Sequence, residues 1–79
     1  MRMNDNTFWQ DGTKQLAQMI QVLLREAMID CEKFEDEIGS ADSGAYINAL
    51  KANLEMIEQL RLRMIYYNEV AETEIAENN

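Results

Sequence analysis

The sequence predicts an all-α fold, an antiparallel two-helix hairpin with a long second helix, on three observations. The 79-residue chain has no proline and only three glycines, and it is rich in residues that favour helices. Apolar residues recur at intervals of three and four along two long stretches, as in helices with one apolar face. Only a short turn separates the two stretches, and a short turn makes consecutive helices antiparallel.

The segments follow from local composition. Residues before Thr13 are mostly polar, with Phe8 and Trp9 as the aromatic exceptions, and Gly12 weakens any helix that runs through it. Gly39 stands where a left-handed residue commonly ends a helix. In chain order we predict a loose N-terminal segment over 1–12, a hairpin over 13–77 (helix about 13–38, turn 39–44, helix about 44–76) and a tail over 78–79.

Each predicted helix contributes one apolar stripe to the seam, the line of contact between the two helices. Antiparallel pairing places Leu23 beside Leu60 in this seam. Cys31 and Ile38 lie on the same stripe, so we interpret Cys31 as a small buried residue rather than a reactive thiol. The predicted core consists of Leu16, Ile20, Leu23, Ala27, Phe34, Leu50, Leu54, Ile57, Leu60 and Met64.

Composition argues against catalysis. The chain has no histidine, which removes histidine-dependent nucleophiles and histidine-ligated zinc. Carboxylate pairs such as Glu32–Asp36 lie on faces predicted to be exposed, without a pocket. We therefore expect no enzyme activity, no catalytic residue, no metal site and no cofactor.

Charge and hydropathy restrict the partners and the location. A net charge of -8 repels nucleic-acid phosphates and anionic lipid surfaces, so we expect neither partner. No apolar run exceeds four residues, far below the roughly 20 of a membrane span. One cysteine cannot form an internal disulfide, and the N-terminus lacks the apolar core of a signal peptide. These features predict a cytoplasmic protein.

The second helix has more apolar residues than a hairpin seam needs. Leu62, Tyr66 and Val70 follow one another at four-residue intervals on the side away from the predicted seam, and Ile65 lies at the edge of this row. Single exposed apolar residues are normal, but a row favours a protein-binding face. A hairpin this small also needs a partner or a second copy to complete it. The predicted partner-binding residues are Leu62, Tyr66, Val70, Ile65 and, as a weaker second patch, Val22 and Ile29.

Three classes of function remain open from the residues alone. The first is a hairpin that binds a different protein. The second is a homodimeric four-helix bundle acting as a regulator, which self-association of the row would produce. The third is an acidic inhibitor of a basic protein, since acidic residues cluster before the turn and after Arg63. Plain solvation of the surface also explains the acidic clusters.

Short strings in the second helix resemble a known family. They are Tyr46 soon after the turn, Leu54-Glu55, Ile57-Glu58-Gln59 and Met64-Ile65-Tyr66-Tyr67. Together with the hairpin architecture over residues 13–70, they resemble the small co-chaperones of the type III secretion needle subunit, the SsaE, YscE, PscE and AscE group.

The resemblance implies a function and two partners. Family members pair with a chaperone built of TPR-like helical repeats, and the pair keeps the needle subunit soluble and unpolymerised in the bacterial cytoplasm before export. By this resemblance the chain is a type III secretion co-chaperone, its partner is a TPR-like chaperone, and its client is the secreted needle subunit. The resemblance assigns no role to Phe8 and Trp9.

Overall fold

A computed structural model describes residues 7–78 and shows two α-helices packed side by side, α1 (Phe8–Asp36) and α2 (Ser43–Asn78). The chain reverses direction between them, so that Trp9 lies near Glu74 and Glu37 lies near Tyr46. This arrangement confirms the predicted all-α hairpin. Neither helix combines the length and the apolar character that crossing a membrane requires.

The seam follows a regular alternation of three- and four-residue steps on both helices, as in an antiparallel coiled coil. Every residue at these positions is buried or half-buried. Leu23 and Leu60 line the same depression, in agreement with the predicted pairing. On α1 the seam residues are Trp9, Thr13, Leu16, Ile20, Leu23, Ala27, Asp30, Phe34 and Glu37; on α2 they are Tyr46, Leu50, Asn53, Ile57, Leu60, Met64, Tyr67, Ala71 and Glu74.

Polar pairs interrupt the apolar seam near the turn. The Asn53 amide donates to the Asp30 carboxylate at 2.8 Å, and the Tyr46 hydroxyl donates to the Glu37 carboxylate at 2.6 Å. The second bond raises the pKa of Tyr46, because the carboxylate stabilises the protonated phenol; burial and the charge of Glu37 act in the same direction. Each pair joins residues at the same level of the two helices and so fixes their register.

Helix α1 begins at Phe8, five residues earlier than the sequence predicts. Residues 1–6 of the predicted loose segment lie outside the described residues. Two contacts with the end of α2 explain the longer helix. The Glu74 carboxylate accepts hydrogen bonds from the N–H groups of Trp9 and Gln10, at 3.1 and 3.2 Å, in the first turn of α1. A helix N-terminus lacks internal acceptors for these groups and favours a negative charge.

Gly12 favours the packing of α1 against α2, because it has no side chain. A Cβ atom at this position would lie 3.1 Å from Cδ2 and Cε2 of Tyr67, closer than most real contacts of this kind. The glycine thus lets α1 approach the Tyr67 ring. The expected weakening of the helix by Gly12 is offset by a close contact that the sequence pattern does not reveal.

The turn lies two residues earlier than predicted, over 37–42, and has the predicted length. The Ser40 hydroxyl accepts from the N–H of Asp42, and the Ser40 carbonyl accepts from the Ser43 hydroxyl. Gly39 has a φ of 81°, the left-handed conformation expected of a glycine after a helix.

Alanine substitutions at two glycines are expected to have opposite effects on stability. Gly39→Ala lowers the free energy of unfolding by about 1 kcal/mol, because an L-residue resists the left-handed region. Gly44→Ala raises it by about 0.5 kcal/mol, because Gly44 is helical and alanine favours helix. A Cβ atom meets nothing within 4 Å at either position, so only backbone preference differs. Urea denaturation followed by circular dichroism measures both, and equal shifts would contradict the assignment.

Candidate partner-binding surface

The predicted row lies on one side of an unbroken part of α2. Leu62 and Ile65 are about half exposed and Tyr66 is 59% exposed, whereas Val70 is half-buried. Residues at four-residue intervals stack along one helical face, so Leu62, Tyr66 and Val70 form a continuous strip. The geometry leaves this strip accessible to a partner, and its role in binding stays a prediction.

The helical period alone predicts that Tyr66 points away from α1. In the structure, its side chain instead contacts a residue of α1. Its ring lies 6.0 Å from the ring of Trp9, edge to face, and Trp9 also packs against Tyr67 at 5.0 Å. Phe8 adds a further edge contact to Trp9 at 5.2 Å. These four side chains form an aromatic cluster at the open end of the hairpin, and edge-to-face packing of this kind stabilises ring pairs. The early start of α1 therefore gives Phe8 and Trp9 a structural position beside the row.

The weaker patch is separate from the row. Val22 and Ile29 are both nearly half exposed on α1. Val22 lines a shallow depression together with Met19, Leu23, Met56 and Leu60, and no residue of the row lines it. The six predicted residues are therefore divided between the two helices, four on α2 and two on α1.

A second apolar surface, which we call the turn-end groove, was missed by the sequence reasoning. It is made of three shallow depressions: the middle one, lined by both helices, shares Cys31 with a second on α1 and shares Ile47 and Leu50 with a third on α2. Four of its six residues are about half exposed or more, and Cys31 is exposed too. The groove residues are Leu24, Met28 and Cys31 on α1 and Ile47, Leu50 and Leu54 on α2.

The structure corrects three predictions of the seam. Leu54 was predicted in the seam but is 50% exposed, because Asn53, one residue earlier, occupies the seam position and bonds Asp30. Cys31 is exposed rather than buried, because Asp30 takes the equivalent place on α1. Ile38 is 70% exposed, because α1 ends at Asp36 and the chain turns away from the seam. A pattern that steps by three and four residues in strict alternation along each helix, and that accepts polar residues at its positions, would have identified the true seam.

Carboxylates border the turn-end groove. Glu32 and Glu35 line it on α1, and Glu55 and Glu58 line it on α2. Arg61 donates two hydrogen bonds to Glu58, at 2.6 and 2.8 Å, and these bonds lower the pKa of that carboxyl. The pair is exposed to solvent, so it adds little to stability. Within residues 7–78, no three acidic, cysteine or histidine side chains converge in a way that could hold a metal ion.

Comparisons with family models, with curated proteins and with solved structures find no match for this chain. Function is therefore inferred from the surfaces described above and from the resemblance of the second-helix strings to the needle-subunit co-chaperones.

Proposed function

We propose that the chain is a type III secretion co-chaperone, a helical hairpin without enzyme activity. It pairs with a TPR-like chaperone in the bacterial cytoplasm. Together the two proteins keep the secreted needle subunit soluble and unpolymerised before export. The row of Leu62, Ile65, Tyr66 and Val70 is the proposed contact with the chaperone, and Val22 and Ile29 are a weaker contact.

The observation that carries this proposal is the poor burial of the hairpin. Its accessible surface is 6034 Å², whereas a compact monomer of this mass exposes about 4,900 Å². The difference exceeds the roughly 800 Å² that one partner buries in an average interface. In the described part of the chain, the only buried apolar residues are Leu16, Ala27, Leu60 and Ala71, and each keeps 4–7% of its surface exposed. A hairpin with so small a core favours a partner that covers it.

The resemblance supports this partner class through the same part of α2. The string Met64-Ile65-Tyr66-Tyr67 contains two residues of the exposed row and two residues of the seam. Tyrosine is enriched at protein interfaces because its ring is apolar and its hydroxyl is polar. Tyr66, held beside Trp9 yet more than half exposed, is suited to act as an anchor for the partner.

The mechanism of the proposed function is the masking of apolar surface. A stack of helical repeats leaves an apolar face uncovered at its end, and a small hairpin can cap it. The capped repeat protein then holds an amphipathic helix of the subunit in its groove, which hides the surface that drives polymerisation. This chain stabilises the array and performs no chemistry.

Substitution of Tyr66 by glutamate tests the proposal. We expect Tyr66→Glu to abolish recovery of a TPR-like chaperone, because the interface would have to bury an unpaired charge. The measurement is affinity purification of the tagged full chain from its own cells at high salt, with the co-purifying proteins identified by mass. Asn68→Glu is the matched control, since it places the same charge two residues further along α2, on another side of the helix.

Three outcomes contradict the proposal. Recovery of the chaperone with Tyr66→Glu at wild-type yield would remove the row from the interface. Recovery of the chain alone, at twice its monomer mass after dilution, would favour the homodimeric regulator. Recovery of a basic protein that is lost at high salt would favour the acidic inhibitor, because exposed ionic contacts are screened.

A further inference from the structure

We infer that the turn-end groove is a second docking surface, which binds an amphipathic helix whose apolar stripe is flanked by lysine or arginine. This surface lies at the other end of the hairpin from Tyr66 and does not depend on the proposed role of the row. The bound helix would form a third member of the bundle. The shape of the groove, its charge and the distribution of charge along the hairpin all favour such a helix as the occupant.

The shape fits one helix. The groove has three apolar or thiol side chains on each helix, and its middle depression is lined by both helices. Leu24 to Cys31 on α1 and Ile47 to Leu54 on α2 each span seven residues, about 10 Å or two helical turns; because Asp30 lies level with Asn53, the two stretches are staggered and overlap near Cys31 and Leu54. A helix with apolar residues at intervals of three and four over two to three turns matches this length. Helix-in-groove binding uses the same pattern of anchors.

The negative charge around the groove favours a bound helix with basic residues on both sides of its apolar stripe. From Asp30 to Lys51 the chain has six carboxylates and two lysines, a net charge of -4. Glu32 and Glu35 border one side of the groove, and Glu55 borders the other together with Lys51, so the carboxylates outnumber the lysine. Basic residues beside the apolar stripe of a partner would face these carboxylates, and complementary charge increases both the specificity and the rate of association.

The same charge disfavours a second copy of this chain as the occupant. A two-fold dimer through the groove would bring the two acidic borders together, because such an interface pairs each patch with itself. Sliding the copy along the hairpin does not avoid the repulsion. The open end carries Glu69, Glu72, Glu74 and Glu77, and no basic residue follows Arg63. Like charges placed opposite each other weaken association, so a basic partner fits better.

A pair of synthetic helical peptides tests the charge requirement. The probe is a fluorescein-labelled peptide of 16 residues with leucines along one face and lysines on both flanks. The matched peptide has glutamates in place of the lysines. With the full chain, fluorescence anisotropy is expected to show binding of the lysine peptide and at least about tenfold weaker binding of the glutamate peptide at low salt. Equal dissociation constants for the two peptides would overturn the inference.

Variants of the chain locate the binding surface. Leu54→Glu and Met28→Glu are each expected to raise the dissociation constant of the lysine peptide about tenfold or more, because each puts a charge among the apolar residues of the groove. Val22→Glu adds the same charge to a similarly exposed residue of α1. Val22 lies two residues from Leu24, about 200° around the helix, so its substitution should leave the constant within about twofold. Circular dichroism checks that each variant keeps its helices, and two groove variants on different helices guard against the unfolding of one.

Two results would assign the groove differently. An equal loss of affinity in Val22→Glu would show that the peptide responds to net charge alone. A wild-type dimer that Leu54→Glu converts to a monomer, in sedimentation at several concentrations, would show that a second copy occupies the groove. Tyr66→Glu should leave the affinity for the peptide unchanged, so this inference and the proposed function fail separately.

Discussion

Leu60→Ala is expected to remove most of the stability of the hairpin. Leu60 is 4% exposed and lies in the middle of the seam, beside Leu23. Truncation of a buried leucine to alanine costs about 2–5 kcal/mol, through lost burial and the cavity left behind. Small domains have free energies of unfolding of about 5–15 kcal/mol, and a single-seam hairpin belongs near the lower limit. Thermal and urea denaturation, followed by circular dichroism at 222 nm, should show a large fall in midpoint.

Leu54→Ala is the matched control for this prediction. It removes the same atoms from the same helix, but Leu54 is 50% exposed in the turn-end groove. Its cost should stay below about 1 kcal/mol, because much of the side chain is already in water. Sequence reasoning alone placed both leucines in the core and predicted similar losses. Equal destabilisation by the two substitutions would therefore favour that earlier assignment and contradict the seam of the structure.

The first helix was well predicted because its most apolar stripe is also its contact face. Leu16, Ile20, Leu23, Ala27 and Phe34 were assigned to the core, and all five are buried or half-buried. The steps between them are four, three, four and seven residues, which keeps one face of a helix turned towards its partner. Hydrophobicity and geometry select the same residues here, except that Cys31 was placed on the stripe where the structure has Asp30.

The second helix was predicted less well because hydrophobicity and geometry select different residues. Its seam includes Tyr46, Asn53 and Glu74, which are polar, whereas Ile47 and Leu54 lie beside it and are half exposed. Hydrophobicity alone rotates the apparent contact face by about one residue, or 100°. Only the hydrogen bonds across the seam, such as Asn53 to Asp30, account for the polar positions. Those bonds depend on the pairing of two distant segments.

The exposure of the predicted row could be anticipated from the sequence, whereas its role in binding stays a prediction. A row at four-residue spacing shows in the sequence, and the structure leaves Leu62, Ile65 and Tyr66 half exposed or more. The contact of Tyr66 with Trp9 could not be predicted, because it requires α1 to start at Phe8 and to lie level with the end of α2. The turn-end groove was missed for the related reason that Cys31 and Leu54 were placed in the seam.

Glu74→Ala is expected to release the open end of the hairpin. Glu74 is 9% exposed, and its two carboxylate oxygens accept the N–H groups of Trp9 and Gln10 across the seam. Loss of a buried acceptor costs about 1–3 kcal/mol, and loss of a helix cap costs about 0.5–2 kcal/mol. The effect should be local, because the seam around Leu60 does not depend on this contact. Residues near the start of α1 and near the end of α2 should therefore unfold, while the middle of the hairpin stays folded.

Amide hydrogen exchange measures this local effect residue by residue. In Glu74→Ala the protection of Trp9, Gln10 and neighbouring amides should fall, whereas amides near Leu60 should keep most of their protection. Glu74→Gln retains one carbonyl acceptor but loses the negative charge that favours a helix N-terminus, so its effect should be intermediate. Glu72→Ala removes a similar charge from an exposed position of α2 and should change neither region. If Glu72→Ala and Glu74→Ala lower protection equally, the open end is held by overall charge and not by the Glu74 hydrogen bonds.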